Sequence, residues 1–146
     1  MLGVFSIFFS IQAFTQKPGY DSVLEKKLGA DDYGMRSYIF VILKTGAVKN
    51  ADKKTNDSLF AGHMKNIGRL AQEGKLVLAG PFGKNPKAYR GLFILNVKTI
   101  EEAKHLVATD PAVSGKLLAA EYYNWYGSAA VMAIPEMQEK VQKTSF

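Results

Sequence analysis

The sequence predicts an α+β domain over residues 36–128, built in the order strand-helix-strand-strand-helix-strand. Three observations predict it. Residues 37–44 carry Tyr38, Ile39, Phe40, Val41, Ile42 and Leu43 without a break, the pattern of a strand buried on both faces. Two segments with apolar residues at helical spacing each lie between strand-like runs. The last run, residues 116–126, alternates, with Leu118, Ala120 and Tyr122 on one face and Leu117, Ala119, Tyr123 and Trp125 on the other.

The elements follow in order. Thr45-Gly46 ends the first strand, and a lysine-rich polar stretch leads to Thr55-Asn56-Asp57, which offers candidate N-caps. The first helix then runs to Gln72 with Leu59, Phe60, Met64, Ile67, Leu70 and Ala71 as its stripe, and Gly74 closes it. Residues 76–79 form a short strand broken by Gly80-Pro81, and residues 89–97 resume as its hairpin partner across a long loop. Thr99 and Glu102 have the spacing of a capping box, in which Glu102 reaches back to the cap, so the second helix spans 99–108. Asp110-Pro111 starts another short helix, with the carboxylate as N-cap and proline in the first helical position, ending at Gly115. In the tail, residues 129–146, a short helix is expected around 136–142.

With 146 residues the chain fits one domain. The net charge of +6 raises the question of a polyanionic partner, but the lysines are scattered among Asp and Glu. No arginine stripe or basic run interleaved with aromatics occurs, so nucleic acid is not expected as a partner. The absence of cysteine excludes disulfides, thiolate metal sites, cysteine nucleophiles and lipidated cysteine. There is no GxSxG elbow, phosphate-cradling glycine loop, HExxH or calcium loop, and two histidines suit a structural zinc site poorly. Neither a metal nor a cofactor is expected. The adjacent pairs Asp31-Asp32 and Glu101-Glu102 point apart and read as solvated charge.

Residues 1–15 contain no charge and carry Leu2, Val4, Phe5, Ile7, Phe8, Phe9, Ile11 and Phe14. The run is shorter than the roughly 20 residues of a bilayer span and suits a signal-peptide core, so no stable membrane span is expected. Ala13 and Thr15 are spaced as before a cleavage site, which places the mature start near Gln16 and the protein in the periplasm or outside the cell. The missing Lys or Arg before the run leaves a buried amphipathic helix as the alternative, with the protein then expected in the cytoplasm. Residues 16–35 read as a polar tether.

Helical geometry separates the two histidines. At about 100° per residue, His63 falls inside the stripe of Leu59, Phe60, Ile67 and Leu70, whereas His105 falls opposite Ile100, Ala103 and Val107 and reads as solvated. Two readings of His63 stand: a core-edge imidazole bonded to a backbone carbonyl, or a general acid/base. The second needs an orienting partner, for which Asp110 is the candidate, and its capping role is compatible with that. Tyr123 and Trp125 are the candidates for lining an apolar pocket.

Both helices of this topology cross to one face of the sheet, while at least three strands are apolar on both faces. The other face therefore needs a cover, supplied by a second copy related by two-fold symmetry or, in part, by the tail.

His63 in the first helix, the run from Gly74 through Gly80-Pro81 to Phe82, the run from Arg90 to Leu95, Glu102-Ala103 and Asp110-Pro111 before the last strand together resemble the YCII-related domain family over residues 36–128. The resemblance implies a ferredoxin-like, four-stranded antiparallel sheet with helices on one face, pairing as a dimeric α+β barrel, with a small pocket between sheet and helices. It implies His63 and Asp110 as the active-site pair and Gly80 and Pro81 as the pocket rim. Some relatives remove chloride from chlorinated aromatic rings and structural cousins isomerise lactones. This implies proton transfer on a small cyclic or aromatic molecule. A non-catalytic ligand-binding module and a purely structural dimer are the alternatives.

Overall fold

The computed structural model describes residues 17–49 and 51–144. The expected signal segment, residues 1–15, lies outside them. The described chain runs α1 (Ser22–Leu28), β1 (Met35–Thr45), α2 (Lys53–Gln72), β2 (Leu76–Pro81), β3 (Tyr89–Leu95), α3 (Ile100–Ala108), α4 (Pro111–Ser114), β4 (Leu118–Ser128), a 3-10 turn (Ala129–Ala133) and α5 (Ile134–Val141). The strands form one antiparallel sheet in the order β2-β3-β1-β4, which is the ferredoxin-like arrangement of the strand-helix-strand-strand-helix-strand series.

The main core lies between the sheet and α2, α3 and α4. Ile39, Val41 and Leu43 of β1, Phe93 and Leu95 of β3, and Leu118 of β4 meet Leu70, Ala103, Val107 and Ala112 there. The alternate residues form a second cluster on the outer face: Tyr38, Val77 and Ile94 are buried, with Phe40, Leu92 and Trp125 around them. Val131 and Met132 of the 3-10 turn pack on this cluster, so the tail covers one end of the outer face. Tyr38 is sealed there, its hydroxyl donates to the Ser128 carbonyl at 2.9 Å, and burial pushes its pKa up.

Several local expectations need correction. The first helix starts before Thr55-Asn56-Asp57, because Asp52 takes the cap and accepts from the Thr55 N–H at 3.0 Å. β2 continues through Gly80-Pro81. It is an edge strand, and an edge tolerates a residue without an N–H. Only half of the expected capping box forms. Thr99 accepts from the Glu102 N–H at 3.1 Å, but Glu102 Oε1 turns to Lys75 Nζ at 3.0 Å, and Oε2 reaches the Lys98 N–H at 3.5 Å instead of that of Thr99. The last strand begins at Leu118 rather than Lys116, whose φ of 60° is left-handed, and extends to Ser128.

The expected tether is structured where it is described. Asp21 caps α1 through the amides of Val23 and Leu24, and Gly29 ends it with φ 64°. Arg36 Nη1 donates to the Leu28 carbonyl at 2.6 Å and Nη2 to Asn96 at 2.7 Å, which ties α1 to the sheet. Among the described residues no helix is long and apolar enough to cross a membrane.

Candidate active site

α2 carries His63 on the face that meets the sheet, and the α3–α4 junction carries Asp110. Their side chains meet where α2 packs against that junction, on the helix side of the sheet. His63 Nδ1 lies 2.6 Å from Asp110 Oδ2, with 12 % of the histidine side chain and none of the aspartate side chain exposed. The other carboxylate oxygen, Oδ1, accepts from the Ala112 N–H at 2.9 Å and so caps α4. Asp110 thus caps α4 with one oxygen and contacts His63 with the other.

Two aromatic rings fix the imidazole plane. Phe93 stacks beneath it at a centroid distance of 6.0 Å and 20°, and Phe60, one turn earlier on α2, meets it edge-on at 6.1 Å and 87°. Phe93 is 2 % exposed and sits in a row across the sheet with Ala79, Val41 and Tyr122, all facing the helices. Burial pushes the Tyr122 phenol above its ordinary pKa, which keeps that end of the row neutral.

An ionised carboxylate can only accept hydrogen bonds. With Asp110 ionised, the hydrogen of neutral His63 therefore sits on Nδ1, and Nε2 presents a lone pair. Nε2 has no hydrogen-bond partner among the described residues. Chemically, the arrangement can serve as a base whose back is held by a buried acceptor and whose Nε2 is uncommitted among the described residues.

The other expected site residues do not gather there. Tyr123 and Trp125 point to the outer face. Trp125 packs on Tyr38 and Phe40, at centroid distances of 5.4 and 6.5 Å, and Tyr123 is 48 % exposed with its hydroxyl donating to Glu121 at 3.2 Å. The reason is the two-residue period of a strand: Leu118, Ala120 and Tyr122 took the helix side, which sends their neighbours to the other. Gly80, opposite Leu92, also belongs to the outer side, whereas Pro81, opposite Gly91, shares the side of His63. His105 is exposed.

The residues around His63 that sequence reasoning missed are Phe93, Asn66 and Thr109. Phe93 looked like any core residue of a strand, and Asn66 could have been found as a polar residue inside the apolar stripe of α2. Two surface recesses lie nearby in the fold. A groove of about 560 Å³ lies between α2 and the α3–α4 junction, lined among others by Gly62, Lys65, Asn66, Arg69 and Thr109. A smaller recess of about 200 Å³ at the start of β1 is lined by Arg36, Lys75, Asn96, Lys98 and Glu102. His63 lines neither. Among the described residues, no group of three or more His, Cys, Asp or Glu could hold a metal ion.

No family model matches the chain, and no curated protein matches it. Among solved structures it is similar to 5-chloro-2-hydroxyhydroquinone dehydrochlorinase (TftG) from Burkholderia phenoliruptrix AC1100, in complex with 2,5-dihydroxybenzoquinone. The identity is 20%, the TM-score 0.42, and the match covers 60% of this chain and 92% of that one. At this overlap the similarity assigns neither family nor reaction, and the functional reading rests on the geometry of His63 and Asp110.

Proposed function

We propose that this chain is a YCII-related domain protein that transfers a proton on a small cyclic or aromatic molecule, with His63 as general acid/base and Asp110 as the group that orients it. The carrying observation is the 2.6 Å contact between His63 Nδ1 and a wholly buried carboxylate, which leaves Nε2 without a hydrogen-bond partner among the described residues. In this reading Nε2 takes a proton from a carbon of the ligand, and the released electron pair forms a double bond. The reaction ends either by return of the proton at another carbon, an isomerisation, or by loss of a leaving group such as chloride, an elimination. Asp110 stays ionised and stabilises the imidazolium that forms between the two steps.

The test uses His63→Asn. Asparagine places an amide N–H near the position of Nδ1, which preserves the partner of Asp110, but has no atom at Nε2. Wild type and variant are incubated in deuterated water with small enol-lactones and with hydroxylated or chlorinated aromatics, and mass spectrometry follows deuterium uptake and chloride loss. The expected result is turnover by wild type and a loss of about 100-fold or more in the variant. Equal rates would overturn the assignment. A second reading, a ligand-binding or structural module, draws on the fact that both oxygens of Asp110 are engaged inside the fold. Under it, His63→Asn changes stability or ligand protection, and no product forms with either protein.

We also infer a homodimer and export. The tail leaves Phe40, Ile42 and Leu92 only half-buried and Tyr123 exposed on the outer face, a surface suited to a second copy. A monomeric mass in light scattering at micromolar concentration would count against the dimer. A mature protein beginning near Gln16 supports export, and retention of Met1 in the exporting host refutes it.

A further inference from the structure

The contact between His63 and Asp110 spans two elements that do not share a backbone, α2 and the α3–α4 junction. Asp110 Oδ1 is committed to the Ala112 N–H at 2.9 Å, so the carboxylate cannot turn to follow the imidazole. Sliding α2 by about 1 Å would stretch the 2.6 Å contact beyond useful hydrogen-bond length. The junction is therefore under a positional demand that the His63–Asp110 bond alone does not meet.

Asn66 lies one turn along α2 from His63 and is 6 % exposed. A buried amide in an apolar stripe is costly, the more so because Asn66 Nδ2 has no hydrogen-bond partner among the described residues. Its other atom is fully used. Arg69 Nη2 has two hydrogens, and it lies 2.8 Å from Asn66 Oδ1 and 2.8 Å from Thr109 Oγ1. Thr109 Oγ1 also stands 3.1 Å from Asn66 Oδ1 and 2.6 Å from the Leu106 carbonyl, and the shorter contact claims its single hydrogen. The guanidinium is thus the fork that joins α2 to the residue immediately before Asp110. Glu73 holds that fork from behind, 2.8 Å from Nη1.

We propose that Asn66, Arg69 and Thr109 form a clamp that positions Asp110 against His63. They are positioning residues for proton transfer at Nε2 and act through Asp110. The role rests on reading His63 as the acid/base group, but its physical content, the geometry of the imidazole, can be measured without any substrate.

The experiment is nuclear magnetic resonance of the intact protein labelled with 15N in its histidines, comparing wild type with Thr109→Val, Thr109→Ser and Arg69→Met. Valine keeps the shape of threonine without the hydroxyl, serine keeps the hydroxyl, and methionine keeps an apolar stem without the fork. Expected is exchange of the His63 Nδ1 hydrogen with water about tenfold faster in Thr109→Val and Arg69→Met, with His105 unchanged and Thr109→Ser close to wild type. Wild-type behaviour in both disrupting variants overturns the clamp, and so does equal disturbance by serine and valine, which would mean packing alone. Should Thr109→Val not fold, Arg69→Met decides, because the arginine side chain is 43% exposed. If His63→Asn turned over substrate normally, the acid/base reading would fail while the exchange result stood. If exchange did not respond, the clamp would fail and the acid/base reading would stand.

Discussion

Replacing Gly62 with alanine puts the packing of the candidate site to a quantitative test. A Cβ at position 62 would lie 2.7 Å from Pro111 Cγ and 3.0 Å from Pro111 Cβ, where carbon atoms ordinarily stand about 3.5–4.0 Å apart. α2 and α4 must therefore separate by about 1 Å. Gly62 precedes His63 and Pro111 follows Asp110, so the same displacement falls on the 2.6 Å bond and takes it out of range. Overpacking costs about 1–3 kcal/mol, and losing a bond to a buried carboxylate about 1.5–3 kcal/mol. Alanine returns about 0.8–1 kcal/mol of helix propensity. The expected net loss is about 1.5–5 kcal/mol, or a fall in Tm on the order of 10 °C. The internal control is Gly68→Ala on the same helix, where an added Cβ meets nothing within 4 Å and the expected change is a gain of up to about 1 kcal/mol. Urea titrations followed by circular dichroism measure both. If Gly62→Ala proves as stable as Gly68→Ala, the close approach of Gly62 to Pro111 does not hold the site and the reasoning fails.

Two further outcomes are expected. Asp110→Ala should cost about 2–5 kcal/mol, from the cap and the charged hydrogen bond together, whereas Asp110→Asn, which still caps α4, should cost less by about 1 kcal/mol in the same titration; equal losses would mean that the cap contributes nothing. The Tyr126 hydroxyl and the amides of Met35 and Tyr33 hold the Asp31 carboxyl below its ordinary pKa. A depressed folded pKa stabilises above the unfolded value of about 3.9 and loses that contribution as pH falls through the folded one. The gap in Tm between wild type and Asp31→Asn should therefore close as pH falls from about 5 toward 2, and a gap independent of pH would refute it.

Much of this was legible in the residues. The unbroken apolar run of β1, the stripe of α2 and the Asp110-Pro111 start of α4 specify their elements locally, because side-chain period and capping chemistry act over a few residues. The choice of His63 over His105 is legible for the same reason, since 3.6 residues per turn places one in the apolar stripe and the other outside it. Less local features were not. The start of α2 moved to Asp52 because two polar segments offered competing caps, and Glu102 left its box for Lys75, a residue 27 positions away that only the fold brings near.

Over residues 36–128 the sequence by itself determined which segments become strands and helices, in what order, and which histidine faces the core. The tertiary structure alone decided which side of the sheet each strand turns to the helices. β1 and β4 carry apolar residues on both sides, so period two permits either choice, and the outcome sent Tyr123 and Trp125 away from His63. It also decided that the tail covers one end of the outer face and that Asp110 reaches His63 across 47 residues of chain. That contact depends on the close approach of Gly62 to Pro111 and on the Arg69 fork between Asn66 and Thr109. A meeting of α2 with the α3–α4 junction is set by the packing of the whole core, which no local spacing encodes.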